Sequence, residues 1–386
     1  MPRYSFHFGA HPDISAAELA AVFSLLRIPF RPIAQTRQWV IVEGDDAIDP
    51  AILIDRLGGI VKIGISVGVP NPSPKTIAEF LTQTQVNRKI IFSLSGNNAE
   101  NTAIAIKREL KSQEKSVRYI RPKNAATILH NNLLVCKGDL AVLNGELFAT
   151  VALQPFEQWG ERDYGRPRRD AKAGMLPPKL ARMMINLARV DEAKTILDPF
   201  CGSGTILAEA LLMGYTQIIG SDASAKAIED TKKNIAWMQN NLPNHLITVS
   251  PHDQPTLFVS AVQNLEKNIK GHSVDAIITE PSLGPPLRGR ETKTYIERIA
   301  ADLSSLYTDA FSAFRKILRL NGTVTFVIPS ILYGDGKEWI NISKQCVPQI
   351  AALGFKIVPL SQKSPSLSYG RENQRVLRNL WQFIWV

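Results

Sequence analysis

The sequence predicts an α/β architecture, with a doubly wound and mainly parallel sheet in the C-terminal half and a smaller α+β region before it. Three observations carry this prediction. Thr195-Ile-Leu197 reads as a short buried strand that runs into Asp198-Pro-Phe-Cys-Gly-Ser-Gly-Thr205 and then into the helical pattern Ile206-Leu-Ala-Glu-Ala-Leu-Leu212, which Gly214 ends. A strand, a glycine turn and a helix start form the nucleotide-binding corner of a doubly wound sheet. Acids recur at the ends of the strands that follow, and the first 154 residues alternate short strand and helix patterns.

The 386 residues are 45% hydrophobic and 21% charged, a globular composition long enough for two or three domains. No apolar run approaches the roughly 18 residues that span a membrane. Met1-Pro-Arg-Tyr-Ser has no signal-peptide character. Cys136, Cys201 and Cys346 are isolated and lack zinc spacing, so a reduced, cytoplasmic protein without a metal is expected. The formal charge of +10 favours a polyanionic partner, with RNA, DNA and an acidic membrane surface not distinguished by charge alone.

In chain order, Tyr4-Ser-Phe-His-Phe8 alternates like a strand, and Ser15 is an N-cap candidate for a helix over 16–26. Gln38-Trp-Val-Ile-Val42 reads as a strand, 50–57 as a helix closed by Gly58-Gly59, and 60–69 as another strand. The order is β-α-β-β-α-β, a ferredoxin-like unit with one middle strand unplaced. Pro70-Asn-Pro-Ser-Pro74 marks a boundary. Beyond it come a helix over 76–82, the strand Lys89-Ile-Ile-Phe-Ser-Leu94, a helix over 101–111, the strand Ser116-Val-Arg-Tyr-Ile120, and a hairpin over 139–154 turning at Asn144-Gly145. Basic residues cluster here, among them Lys107, Arg108, Lys111, Lys115 and Arg118, as a solvated face or an RNA-binding one. The polar linker that follows carries Arg162, Arg166, Arg168 and Arg169, where phosphate contact is expected.

The cofactor constellation begins at the glycine turn, with Asp198, Pro199, Phe200, Gly202, Gly204 and Thr205 as candidates. Leu207 stands where the dinucleotide fingerprint has its third glycine, which argues against a dehydrogenase. An acid leading into a glycine turn suits a ligand with a cationic amino-acid end, and S-adenosylmethionine is such a ligand. Gln217-Ile-Ile-Gly-Ser-Asp222 is a second strand ending in an acid suited to ribose hydroxyls, with Ala223 next to it. Ile247-Thr-Val-Ser leads to His252-Asp253, where the third strand is expected to end. Val274-Asp-Ala-Ile-Ile-Thr279 is a buried fourth strand delivering Glu280-Pro281-Ser282-Leu283. The rest reads as a helix over 304–318, a turn at Asn321-Gly322, strand Thr323-Val-Thr-Phe-Val-Ile328, a helix over 339–353 that Pro348 kinks, and a closing hairpin of Phe355-Lys-Ile-Val-Pro-Leu360 and Leu380-Trp-Gln-Phe-Ile-Trp385.

These motifs resemble a known family. Leu57-Gly-Gly-Ile-Val-Lys-Ile63, Phe92-Ser-Leu-Ser, Ile106-Lys-Arg-Glu-Leu110 and Ser116-Val-Arg-Tyr-Ile120 resemble a ferredoxin-like domain followed by a THUMP domain. Gly174-Met-Leu-Pro-Pro-Lys-Leu-Ala181 resembles the motif beside S-adenosylmethionine in guanine-N2 RNA methyltransferases, and Tyr369-Gly-Arg371 with Arg375-Val376 resembles the C-terminal segment of the tRNA guanine-10 N2-methyltransferases of archaea and eukaryotes. The resemblance implies a ferredoxin-like domain over 1–69, a THUMP RNA-binding domain over 70–157, a basic linker over 158–173 and a class I (Rossmann-like) methyltransferase domain over 174–386. It implies S-adenosylmethionine as cofactor, with Asp253 on the adenine amino group, and tRNA as substrate, methylated at a guanine N2, position 10.

Enzymes that methylate exocyclic amines carry Asp-Pro-Pro-Tyr or Asn-Pro-Pro-Tyr where this chain has Glu280-Pro-Ser-Leu283. An aryl amine is a poor nucleophile, so an acceptor oxygen and the first proline carbonyl orient its lone pair, and the aromatic residue stacks on the base. Glu280 keeps the acceptor with one more methylene; Ser282 loosens the turn; Leu283 replaces stacking, worth roughly 1–3 kcal/mol per base, with apolar contact. Arg288 and Arg290 are phosphate-contact candidates or surface arginines. Another tRNA or rRNA guanine, a DNA amine, or a tRNA-binding protein with a decayed site remain open, and an activating protein partner is not readable from the sequence.

Overall fold

The computed structural model describes residues 1–45, 48–86, 89–121, 124–169, 175–242, 254–334, 338–371 and 374–386. The chain forms two compact units, Met1–Ala16 with Leu26–Glu157, and Ala17–Leu25 with Gln158–Val386.

The first unit is built on β1 (Arg3–Phe8), α1 (Pro12–Leu25, whose C-terminal part falls in the second unit), β2 (Phe30–Gln35), β3 (Trp39–Gly44), α2 (Pro50–Arg56), β4 (Ile60–Pro70), α3 (Pro74–Thr84), β5 (Ile90–Gly96), α4 (Ala99–Ser112), β6 (Val117–Tyr119), α5 (Ala125–His130), β7 (Asp139–Leu143) and β8 (Glu146–Leu153). Its eight strands form a single sheet ordered β2-β3-β1-β4-β8-β7-β5-β6. The first four strands in that order are antiparallel neighbours. The strand missing from the sequence reading is β2, an edge strand with Pro32 inside it and a register shift between Pro32 and Ala34. Proline is tolerated at an edge because a lost N–H disrupts no ladder there. Ile65 on β4 pairs with Ala149 on β8, so the sheet continues across Pro70–Pro74 instead of ending there. The β7–β8 turn is at Asn144 (φ 49°) and Gly145 (φ 74°), both left-handed as a two-residue hairpin requires. The faces of α3 and α4 that carry Ile77, Leu81, Ala103, Ile106 and Leu110 are buried against Phe92 and Leu140.

The second unit holds the greater part of α6 (Phe156–Gly160, whose first two residues fall in the first unit), one π-helical turn (Glu161–Gly165), α7 (Pro178–Leu187), β9 (Ile196–Asp198), α8 (Thr205–Leu212), β10 (Ile218–Asp222), α9 (Ala225–Asn241), β11 (Thr256–Val259), β12 (Val274–Thr279), α10 (Lys293–Ile317), β13 (Leu318–Tyr333), β14 (Glu338–Asn341), α11 (Ser343–Ala352), β15 (Phe355–Ile357), β16 (Leu367–Tyr369) and β17 (Val376–Trp385). The main path of its sheet is β11-β10-β9-β12-β13-β17-β15, parallel through β13 and reversed at β17. Because β10 and β12 lie on opposite sides of β9, the strand order reverses between β9 and β12. Ligands of such sheets bind at that switch, beyond the carboxyl ends of the strands.

Helix α10 explains the core. Thr292 Oγ1 accepts from Tyr295 N as its cap, and Ile296, Ile299, Ala300, Leu303, Tyr307, Phe311 and Phe314 recur at helical spacing on its buried face. Phe311 meets Phe326, Phe355 and Phe383 with ring centroids 4.8–5.1 Å apart. The helix begins at Lys293, earlier than the expected residue 304, because the cap at Thr292 lies upstream of the apolar stripe. The expected helix over 339–353 begins only at Ser343; Glu338–Asn341 pairs with β13 instead. No helix among the described residues is long and apolar enough to cross a membrane.

Candidate active site

The switch point gathers the acids. Asp198 ends β9, a strand buried at all three positions as a central parallel strand should be. Thr279 ends β12, and its hydroxyl donates to Asp198 Oδ1 at 2.6 Å, with Phe200 N donating to the same oxygen at 3.2 Å. Asp198 is 3% exposed. Burial pushes its pKa up to about 7, the two hydrogen bonds oppose that, and the Asp222 and Glu280 carboxylates add to it. Pro199 is buried and Phe200 half-buried against the core. Cys201 is buried too, and burial together with Asp198 raises its thiol pKa, which makes it a poor nucleophile.

The glycine turn has two different requirements. Gly204 has φ +83°, and a Cβ there would stand 2.7 Å from Thr231 Cγ2. Gly202 has φ +52°, and a Cβ there would meet nothing within 4 Å. Gly204 therefore serves packing, and Gly202 keeps an open approach to the backbone. Asp222 Oδ2 accepts from Gly202 N at 3.0 Å and Oδ1 accepts from Ser224 N at 2.9 Å. Each oxygen retains a second lone pair for a ligand hydroxyl. Ala223 is exposed beside it, and Thr205 is buried at the first position of α8. The donor set, with acids at the ends of β9 and β10 and an open glycine backbone between, fits a nucleoside carrying a cationic amino-acid end.

His252 and Asp253 lie outside the described residues. The strand that pairs with β10 is Thr256–Val259, beyond Asp253, and it is followed by Ser260, whose N donates to Asp222 O at 2.9 Å. Thr256-Leu-Phe-Val259 supplies the β-branched and aromatic residues of that strand.

Glu280 follows β12 directly and is mostly buried. Arg378 Nε on β17 donates to Glu280 Oε1 at 2.5 Å, and Nη2 lies 3.4 Å from Oε2. Burial raises the Glu280 pKa and the Arg378 cation pulls against it. Pro281 is buried, Ser282 exposed and Leu283 half-buried. Tyr307 OH donates to Ser282 O at 2.7 Å, which holds the loop from behind in place of the missing second proline. Gly284 (φ +97°) then turns the chain. Arg288 and Arg290 are exposed. Arg162 and Arg166 are not: both are 7% exposed, packed within the second unit, and unavailable to a polymer phosphate, whereas Arg168 and Arg169 are exposed. Thr279, Tyr307 and Arg378 were missed by sequence reading; the polar pair Arg378-Asn379 inside the mainly apolar strand Val376-Leu-Arg-Asn-Leu-Trp381 was the available signal for the last.

Strand order, reversed β17 and the glycine corner define a class I methyltransferase fold. A family profile described as an RMKL-like methyltransferase domain matches residues 166–330, and one described as DNA methylase matches residues 51–233. The structure of TrmN from Thermus thermophilus has the same fold, with a TM-score of 0.57 at 13% identity over 100% of both chains. A tRNA (guanine(10)-N2)-dimethyltransferase of Methanocaldococcus jannaschii is 38% identical over 45% of this chain and 48% of its own, so the chain spans about half the length of that relative. A protein of Methanothermococcus thermolithotrophicus named as a probable enzyme of that kind is 30% identical over 37% of this chain and 82% of its own. The chain belongs to the tRNA (guanine(10)-N2)-dimethyltransferase family.

Proposed function

We propose that this protein methylates the exocyclic N2 of a guanine in tRNA, at position 10, with S-adenosylmethionine as methyl donor. The observation that carries the reading is the meeting of Asp198, Asp222 and Glu280 at the strand ends beside the topological switch. The cofactor supplies an electrophilic methyl group on a sulfonium. Asp222 accepts ribose hydroxyls, Asp198 faces the cationic amino-acid end, and the Gly202 backbone lies against the ligand.

Glu280 does the substrate work. Its Oε2, less tightly engaged by Arg378 than Oε1, accepts an amine hydrogen while the Pro281 carbonyl accepts the other. That orients the nitrogen lone pair without a covalent enzyme adduct. Leu283 gives the base apolar contact. The first unit, ferredoxin-like over 1–69 and THUMP over 70–157, holds the tRNA through its exposed cations, and Arg168 and Arg169 contact phosphate. The protein acts in the cytoplasm. A second reading, a tRNA-binding protein that no longer transfers methyl groups, is favoured by Arg378 occupying Glu280.

Purified protein is incubated with labelled S-adenosylmethionine and unmodified tRNA transcripts, and the modified nucleoside is mapped. Label in N2-methylguanine at position 10 is expected. Cofactor binding without transfer would establish the second reading.

A further inference from the structure

The segment that follows β12 is held at two points, and neither hold is local in sequence. Before Pro281, Glu280 is gripped by Arg378 of β17. Beyond it, Ser282 O accepts from the Tyr307 hydroxyl of α10 at 2.7 Å. Tyr307 is fully buried, and its ring meets Phe326 edge-on, with centroids 5.2 Å apart and planes at 81°. Phe326 pairs in register with Thr279, the last residue of β12. The hydroxyl is thus placed from the same strand end that delivers Glu280. Burial raises the phenol pKa well above its ordinary value, so the group stays a donor. Helix α10 meets the segment again two turns earlier. There Ile299 Cγ2 would stand 3.1 Å from a Cβ on Gly284, whose φ is +97°. Ser282 Oγ accepts from Gly284 N at 3.4 Å and completes the turn.

These contacts supply rigidity that the local sequence lacks. The Pro281 carbonyl and Ser282 N share one planar peptide unit, and the Ser282 carbonyl belongs to the next. Only φ and ψ of Ser282 separate the two planes. A proline at 282 would fix φ and confine Pro281 to extended backbone, whereas a serine does neither. The Tyr307 hydrogen bond immobilises the second plane, and the Arg378 pair immobilises the residue before the first. The Pro281 carbonyl is therefore held between them. Ser282 is exposed, so without the hydroxyl its carbonyl can turn toward solvent and carry the first plane with it.

We infer that Tyr307 is a positioning residue for methyl transfer, whose hydroxyl aims the Pro281 carbonyl at the substrate amine through the Ser282 peptide. This rests on the transferase reading above and adds to it a residue that acts only through the loop. Its contribution belongs to the transfer step and not to the binding of cofactor or tRNA.

The test measures single-turnover transfer from labelled S-adenosylmethionine to unmodified tRNA, both saturating, on the full chain, Tyr307→Phe, Ser282→Pro and the double variant. Tyr307→Phe should slow transfer about tenfold. Calorimetric affinity for the cofactor and filter-binding affinity for tRNA should stay as they were, so kcat falls and KM does not. On the proline background the same substitution should slow transfer by less than about twofold, because the ring fixes what the hydroxyl fixed. Phe311→Leu, which loosens the same aromatic core one turn along α10, should lower the melting temperature and leave the rate alone. Equal slowing on both backgrounds, no slowing, slowing matched by Phe311→Leu, or a parallel loss of cofactor affinity overturns the assignment. Should the proline variant not fold, Tyr307→Phe against Phe311→Leu decides. If the unaltered protein binds cofactor and transfers no methyl group, the transferase reading itself fails, and the Tyr307 assignment with it.

Discussion

Arg378 and Glu280 form a two-point ion pair between β17 and the end of β12, with side chains 10% and 11% exposed. The pair explains how a glutamate occupies a position where related enzymes carry the shorter Asp or Asn. The additional methylene brings the carboxylate within reach of a cation on the reversed strand. Removing one partner strands the other in a buried site. Arg378→Met should therefore cost about 3–5 kcal/mol of stability. The double variant Glu280→Gln with Arg378→Met should recover most of it. Denaturant unfolding of both singles and the double checks the coupling.

Glu280 is also the proposed acceptor of the amine hydrogens. Glu280→Ala should lower the transfer rate by at least about a hundredfold with cofactor affinity retained. Single-turnover transfer to tRNA measures the first and calorimetry the second. Transfer at an unchanged rate would remove Glu280 from the chemistry.

Asp198 should make both stability and cofactor binding depend on pH. Its carboxyl titrates near 7 in the folded chain, against 3.8 for the ordinary group. Between those values the folded state binds more protons than the unfolded one, so this group's contribution to stability falls as pH rises through the window. A cationic ligand favours the ionised form, so cofactor affinity should fall as pH drops below about 7. Asp198→Asn should raise the melting temperature at pH 8, weaken cofactor binding and flatten its pH dependence. Melting curves and titrations from pH 6 to 8.5 test both signs.

The two glycines of the turn should separate stability from binding. Gly204→Ala forces a side chain into left-handed backbone and against Thr231, and should cost more than the roughly 1–2 kcal/mol of the backbone term alone. Gly202→Ala should carry the backbone term only, yet lose cofactor affinity because its Cβ fills the open approach. Melting temperature and dissociation constant, measured on both, should rank the variants in opposite orders.

Asp198, Gly202, Gly204, Asp222 and Glu280 were legible because local pattern alone places them: a buried run, a turn, then a residue at the strand end. The N-terminal order β1-α1-β2-β3-α2-β4 was legible for the same reason, apart from β2, whose proline and polar residues suit only an edge. What escaped depends on distant pairing. Glu280 and Arg378 are 98 residues apart, and Arg162 and Arg166 reach buried partners on α8 that no spacing within 158–173 announces. The strand expected over Ile247-Thr-Val-Ser and ending at Asp253 falls outside the described residues, and Thr256–Val259 is recognised as a strand only through its pairing with β10.

The exposed cations of the first unit should act on tRNA and not on the cofactor. Lys107, Arg108 and Lys111 on α4, with Lys115 and Arg118 after it, are all exposed, while the apolar face of the helix is buried against β5 and β7. Exposed cations alone would be a solvated surface. If this face holds phosphates, reversing charge at Lys107 and Lys111 should weaken tRNA binding at every sequence alike. Each phosphate that is no longer neutralised should reduce the slope of log affinity against log salt by about 1. Cofactor affinity and melting temperature should stay as they were, since neither side chain is buried. A filter-binding series over salt concentration, run beside calorimetry with S-adenosylmethionine, distinguishes this from a general loss of folding. An unchanged slope in the double variant would move the tRNA footprint off α4.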